Sequence, residues 1–184
     1  MIIRLQDCQP QPWKNGLGST REIAVQPSST GSDDILWRVS IAEVDSAAPF
    51  SCFPGIDRQI VLLDGNGFTM TLDDGRTHAL TTPFAPFAFA GESRVAVALV
   101  DGPTRDFNLM VRRTQARGDV QAWQRPGEQL PDPSTVLIYC ARGVIETAEG
   151  LLRAGDAWRP SQTSPITLHD GALALAIRIK RHAA

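Results

Sequence analysis

The chain has 184 residues, of which 42% are hydrophobic and 21% are charged, which is typical of a globular protein. This composition excludes collagen-like repeats, coiled coils and wholesale disorder. The formal charge is −2 and no stretch concentrates positive charge, so we expect no nucleic-acid partner.

Charged residues occur within the first seven positions of the sequence. Arg4 and Asp7 interrupt the segment that would form the apolar core of a signal peptide, so we expect no export and a cytoplasmic location. The longest charge-free run, residues 77–91, is short and is broken by Pro83 and Pro86. We therefore expect no membrane-spanning segment and no membrane partner.

The most unusual segment, residues 12–25, reads PWKNGLGSTREIAV and crowds polar groups ahead of a predicted strand. A solvated loop explains this composition. Alternatively, the two glycines allow a tight turn in which cationic groups and neutral donors converge, and such a group suits a small carboxylate ligand. The candidate ligand-binding residues of this segment are Trp13, Lys14, Asn15, Thr20 and Arg21.

Further along the chain, hydrophobic residues recur with the period of two that is typical of strands. Asp-Gly and Glu-Gly turns separate these stretches, and no window of eleven residues shows a helical stripe. The predicted strands include residues 35–42, 68–72, 95–99, 136–140 and 173–179. The predicted fold class is therefore all-β, as an antiparallel sandwich or barrel.

Arg58 opens the predicted strand 58–63 and shares a face with Ile60 and Leu62. An arginine that faces a barrel interior needs an anionic partner. That partner is either an internal carboxylate or the carboxylate of a ligand, and the sequence leaves both alternatives open. The internal candidates are Asp57, Glu22, Glu43 and Asp106.

A second polar cluster is predicted on the strand after residue 105. Asn108 and Arg112 share a face there with Asp106 and Met110. A structural role is favoured for this cluster, with ligand contact as the alternative. Asn108 and Arg112 join Arg58 and Glu43 among the candidate ligand-binding residues.

An internal repeat is indicated by one shared offset. A shift of 78 residues aligns residues 61–65 with 139–143 and residues 95–99 with 173–177. The segment at residues 152–160 is also similar to the Gly-Asp turn and trailing proline of cupin barrels.

These patterns predict one compact bicupin unit over residues 1–184, made of two cupin-like antiparallel β-barrels of the RmlC-like jelly-roll type. We place the halves at residues 1–114 and 134–184. Residues 115–133, rich in glycine, proline and charge, are predicted to connect them.

The sequence offers no motif for a metal site or a nucleophile. Metal-dependent cupins use an HxH pair, a glutamate and a later histidine. In this chain none of His78, His169 and His182 has a second histidine within the spacing of a ligand pair. The three cysteines form neither an even disulfide framework nor a CxxC pair. We predict no bound metal, no cofactor and no catalytic residue.

Four motifs make the chain resemble the HutD/Ves family. They are WKNGLGSTREI at 13–23, WRVSIA at 37–42, FSCFPGIDR at 50–58 with LLDG at 62–65, and DFNLMVRR at 106–113. The family more often has glycine where this chain has Leu17. The resemblance covers essentially the whole chain and implies a metal-free bicupin without established enzymatic activity. It also implies a role in sensing or buffering an intermediate of histidine breakdown, such as formiminoglutamate, formylglutamate or urocanate.

Three function classes follow. The favoured one is a binding protein for a small carboxylate, linked to amino-acid catabolism. The others are a cofactor-free isomerase or amidohydrolase acting on the same compounds and an interaction module for a transcriptional regulator. Because edge strands of cupin barrels often pair across a two-fold axis, we expect a homodimer.

Overall fold

The computed structural model describes residues 1–28 and 34–183, and within these ranges the strands pair in antiparallel fashion. The helical content of the described residues is one 3-10 turn, Leu5–Asp7. The all-β prediction is thus confirmed. Among the described residues, no helix has the length and apolarity needed to cross a membrane.

The strands follow one another along the chain with short connections. In chain order they are β1 (Ile2–Ile3), β2 (Pro10–Pro12), β3 (Gly18–Pro27), β4 (Ile35–Val44), β5 (Ile56–Asp64), β6 (Phe68–Leu72), β7 (Thr77–Leu80), β8 (Phe87–Ala90), β9 (Val95–Leu99), β10 (Thr104–Arg112), β11 (Ala116–Trp123), β12 (Gly127–Gln129), β13 (Thr135–Arg142), β14 (Val144–Thr147), β15 (Gly150–Arg153), β16 (Ala157–Trp158), β17 (Ile166–Leu168) and β18 (Leu173–Arg181).

The chain divides into two compact units. One is Gln9–Arg117, and the other joins Met1–Cys8 to Gly118–Ala183. Residues 115–133, which we expected to connect the halves, instead contain β11 and β12. Gly118 lies within β11 and Gly127 begins β12, while the prolines of the segment lie outside the strands. The first residues of the chain also belong with the later half, because Ile2 and Ile3 of β1 pair with β16.

The unit Gln9–Arg117 consists of a six-stranded sheet, in the order β2-β3-β4-β10-β5-β8, and a three-stranded sheet, in the order β7-β6-β9. Ile60 and Leu62 on β5 belong to one buried cluster with Phe68 and Met70 on β6. Alternation along β5 and β6 directs these side chains to one face of each strand. Their burial holds the two sheets together, since apolar area removed from water stabilises by about 25 cal/mol per Å².

The second unit has a five-stranded sheet, β1-β16-β13-β18-β11, and a four-stranded sheet, β12-β17-β14-β15. Its buried cluster includes Ile138, Ile145 and Trp158. The indole Nε1–H of Trp158 donates to the Glu149 carboxylate at 3.0 Å, so the one polar atom of this buried ring is satisfied.

Six strands of each unit share one pairing pattern. β5 pairs with β8 and β10 as β13 pairs with β16 and β18, and β6 pairs with β7 and β9 as β14 pairs with β15 and β17. Gly65 and Gly143, which follow β5 and β13, both have positive φ, at 88° and 74°. The first block of the predicted repeat therefore falls on equivalent strands.

The second block of the repeat was wrong. Residues 95–99 form β9, whose equivalent is β17, whereas residues 173–177 lie in β18, whose equivalent is β10. The chain from β13 to β17 is shorter than the chain from β5 to β9, so no single offset fits all the strands.

Candidate functional site

The unit Gln9–Arg117 contains a cavity of about 490 Å³, within the range of small-molecule sites. Its walls come from β2 and the turn that follows it, from β3, β4, β5 and β10, and from residues 49–53. The polar side chains on these walls are Lys14, Asn15, Thr20, Arg38, Ser40, Ser51, Arg58, Asp106 and Asn108, together with Gln11.

Strand register places the polar side chains of the sheet on one face. Met110 of β10 lies opposite Arg58 on β5 and Arg38 on β4. Two residues earlier, Asn108 lies opposite Ser40 and Ile60. Directly paired residues point to the same side of a sheet, so these rows form a continuous cavity wall.

Arg58 is the most deeply buried cation of this wall, with 6% of its surface exposed. Its Nη2 donates to Asn108 Oδ1 at 2.8 Å. The guanidinium carbon lies 5.1 Å from the ring centre of Phe50, 5.6 Å from that of Phe53 and 4.8 Å from that of Phe89. Burial, with a smaller contribution from the charge of Arg38, lowers the pKa of Arg58 to about 10.

The internal carboxylates proposed as partners of Arg58 lie elsewhere. Asp57 pairs with Arg113 at 2.6 Å, Glu22 with Arg38 at 3.0 Å and Glu43 with Arg21 at 3.5 Å.

Asp106 forms no ion pair with Arg58 among the described residues, and the Arg58 Nε has no hydrogen-bond acceptor there. Within the described part of the chain, the charge of Arg58 thus faces the cavity with an amide and three aromatic rings as neighbours.

Asp106 is the acidic group of the cavity wall. It is fully buried, and neither carboxylate oxygen has a hydrogen-bond partner of good geometry among the described residues. Burial raises the pKa of Asp106 to about 7, and the nearby Thr104 hydroxyl acts in the opposite direction. This carboxyl group therefore changes protonation near neutral pH.

The segment before β3 forms a tight turn at the cavity. Trp13 Nε1–H donates to the Thr20 hydroxyl at 2.8 Å, and Asn15 Oδ1 accepts from the backbone N–H of Leu17 at 3.1 Å. Gly18 is required for this turn, because a Cβ there would lie 2.3 Å from the carbonyl oxygen of Glu43. Trp13, Lys14, Asn15 and Thr20 line the cavity, whereas Arg21, which we expected to converge with Asn15 and Thr20, does not.

Arg21, Glu43 and Arg112 do not line the cavity. On β3 and β4, Thr20 and Ala42 point inward, so the adjacent Arg21 and Glu43 point to the other face.

Arg112 shares a face with Asn108 but stands at the end of β10, where its guanidinium pairs with Asp34. The alternation of residues in the sequence correctly assigned Arg112 to the face of Asn108. It did not show that Arg112 stands at the end of the strand, away from the cavity. The ligand contacts we expected from these three side chains find no support in this geometry.

The sequence prediction missed Arg38 and Ser40. They belong to the polar face of β4, opposite the face of Trp37 and Val39, which is also buried. The signal available in the sequence was the polar side chain at every second position of β4. This pattern is as typical of a strand face exposed to solvent as of one that lines a cavity.

Among the described residues, no group of three or more His, Cys, Asp or Glu side chains is arranged to hold a metal ion.

The comparisons with known proteins agree with one another. A family model described as HutD matches residues 5–177. An uncharacterized 21.2 kDa protein in the hutC 3' region of Pseudomonas putida is 38% identical over 147 residues, which cover 80% of this chain and 76% of that protein. Protein Ves from Citrobacter koseri is 40% identical over 149 residues, with 79% of this chain and 76% of that protein covered.

Solved structures extend the comparison to the fold. HutD from Pseudomonas fluorescens SBW25, in a formate condition, matches with a TM-score of 0.85 and 30% identity, covering 100% of this chain and 99% of that chain. A cupin 2 conserved barrel domain protein from Leptotrichia buccalis matches with a TM-score of 0.61 at 9% identity, covering 98% of this chain and 96% of that chain. The latter likeness concerns the fold alone, and the predicted cupin-like fold is confirmed.

Proposed function

Because this chain belongs to the HutD/Ves family, we propose that it is a metal-free binding protein for a small carboxylate produced during histidine breakdown, and that it modulates histidine utilisation. The proposed ligands are formiminoglutamate, formylglutamate and urocanate, each of which carries a carboxylate. The proposal includes a cytoplasmic location and a homodimer, as the sequence predicts.

The buried guanidinium of Arg58 is the observation that carries this proposal. A buried charge without an ionic partner is costly, and an anionic ligand supplies the missing partner. Asn108 fixes one end of the guanidinium, and the buried Nε–H has no acceptor among the described residues, so these residues do not fully satisfy the cation. The aromatic rings around Arg58 limit the directions from which an anion can approach.

The charges of the cavity wall favour the same ligand class. Among the described residues that line it, Lys14, Arg38 and Arg58 are cationic and Asp106 is acidic, while Arg38 is also paired with Glu22. Lys14 is exposed, so the buried charge of Arg58 contributes most to the attraction of a carboxylate, because it lies at the lower dielectric constant.

A thermal-unfolding screen tests the proposal with formiminoglutamate, formylglutamate, urocanate and histidine. A ligand at 100 times its dissociation constant adds about 2.7 kcal/mol to the stability. We expect at least one of the three carboxylate intermediates to stabilise the wild-type protein and to lose its effect in Arg58→Met. The control Arg21→Met removes a cation outside the cavity and should retain the response.

A response that persists in Arg58→Met, or the absence of any response to the three intermediates in the wild type, contradicts the proposal.

A further inference from the structure

We propose that Asp106 is a specificity-determining residue of the cavity, selecting ligands in which a cationic nitrogen or an N–H donor accompanies the carboxylate. The inference rests on the proposed function, because it assigns a second contact to a ligand whose carboxylate is held at Arg58. It also narrows the ligand class from carboxylates in general to those with a nitrogen donor.

Asp106 has no ion-pair partner among the described residues. Its strand neighbours across the sheet are Leu62 on β5 and Ala42 on β4. The closest hydroxyl along the strand, that of Thr104, donates to the backbone carbonyl of Asp64 at 3.1 Å. The Thr104 hydroxyl offsets only part of the desolvation, since the pKa of Asp106 is still raised to about 7. A carboxylate buried in this way is rare without a function. A donor on the ligand offsets the remaining cost.

The spacing of the wall residues fits a ligand with two different ends. Asn108, which holds Arg58, stands two residues from Asp106 on β10, so their backbone positions are roughly 7 Å apart. Both side chains line the cavity. A small amino-acid derivative spans this distance with its carboxylate at Arg58 and its nitrogen group at Asp106. A plain dicarboxylate of the same length would place a second negative charge against Asp106, which disfavours it.

The protonation of Asp106 makes this selection depend on pH. The charged groups that share the cavity wall with it are Lys14 from the turn before β3, Arg38 from β4 and Arg58 from β5, and the described lining residues include no histidine. A cationic nitrogen binds the ionised carboxylate, so its affinity should fall as pH decreases below about 7. A second ligand carboxylate instead accepts a hydrogen bond from the protonated form, so its affinity should rise over the same interval.

Calorimetric titration with two matched probes tests the inference. Formiminoglutamate carries a cationic formamidine group on a five-carbon dicarboxylate, and glutarate is the five-carbon dicarboxylate without nitrogen. At pH 8 we expect the wild type to bind formiminoglutamate at least about tenfold more tightly than glutarate, which corresponds to 1.4 kcal/mol. At pH 6 this ratio should shrink. In Asp106→Asn the two affinities should lie within about threefold at both pH values.

The variant Asp73→Asn, which changes an exposed turn residue of the same unit, should behave as the wild type. Equal wild-type affinities for the two probes at pH 8 overturn the role of Asp106 but leave the proposed function intact, since a carboxylate still binds. A tenfold preference that persists in Asp106→Asn also overturns the role of Asp106 and leaves the proposed function intact. If neither probe nor any other carboxylate intermediate binds the wild type, the proposed function itself fails. The wild-type pH comparison needs no variant, so a folding defect of Asp106→Asn leaves the inference testable.

Discussion

Replacement of Arg58 by methionine should separate ligand binding from folding. Methionine keeps an unbranched apolar side chain against the rings of Phe50, Phe53 and Phe89 while removing the charge. If the structure had locked Arg58 to an internal carboxylate, the same change would strand a buried anion and cost about 3 to 5 kcal/mol of stability. Among the described residues no such ion pair exists, so we expect a different outcome.

The magnitude follows from the surroundings of Arg58. A pKa lowered from 12.5 to about 10 means that burial of the charge costs about 3 kcal/mol at neutral pH. The hydrogen bond to Asn108 returns about 1.5 to 3 kcal/mol, and the aromatic rings about 0.5 to 2 kcal/mol. Because Arg58→Met removes the cost and the gains together, the free energy of unfolding should stay within about 2 kcal/mol of the wild-type value.

Binding should respond far more strongly. Loss of one member of a buried charge pair costs about 2 to 5 kcal/mol, so the affinity for the carboxylate ligand should fall by about 30-fold to several thousand-fold. Urea unfolding without ligand and calorimetric titration with ligand measure the two quantities on the same preparations. An unliganded Arg58→Met protein destabilised by more than about 3 kcal/mol would refute the argument, and so would wild-type affinity in a stable variant.

Three other positions give tests of their own. In the folded protein the carboxyl of Asp106 has a pKa raised from 3.8 to about 7, so the wild type loses stability as pH rises through this interval. In urea unfolding, Asp106→Asn should therefore gain up to about 4 kcal/mol relative to the wild type between pH 4 and pH 8. A difference that does not change with pH would contradict this. Gly18→Ala should lower the free energy of unfolding by about 1 to 3 kcal/mol, because its Cβ would lie 2.3 Å from the carbonyl oxygen of Glu43; an unchanged midpoint in urea would contradict the close approach. Cys52 is exposed, whereas Cys140 is buried and its pKa is raised to about 12. A thiol reagent should therefore label Cys52 in the native protein and Cys140 only after unfolding. Label found on Cys140 of the native protein by mass spectrometry would contradict this.

The strands and their faces could be predicted from alternation, and so could the burial of Arg58. Its neighbours Ile60 and Leu62 on the same face are apolar, which marks an inward-facing strand surface. Arg38 and Ser40 escaped prediction because polar side chains on one face of a strand usually mark solvent. In this fold the polar face of β4 lines a cavity, and the sequence of one strand does not carry that information.

Register explains the remaining differences. Arg21 was predicted at the site as part of the polar segment 12–25, and Glu43 was a candidate carboxylate partner of Arg58. Each lies one residue beyond an inward-facing side chain, and a step of one residue along a strand reverses the side-chain direction. Which face of β3 and β4 lines the cavity depends on pairing with β10, a strand that begins 60 residues after the end of β4. Such long-range pairing is set by the whole sheet.

A crystal structure of the protein with formiminoglutamate would show whether a small carboxylate binds at Arg58 inside the cavity. We expect the ligand within the cavity, with one carboxylate at about 2.7 to 2.9 Å from the guanidinium of Arg58. We also expect the nitrogen end of the ligand at Asp106. Ligand bound elsewhere on the molecule, or within the cavity with its carboxylates away from Arg58, would contradict this expectation.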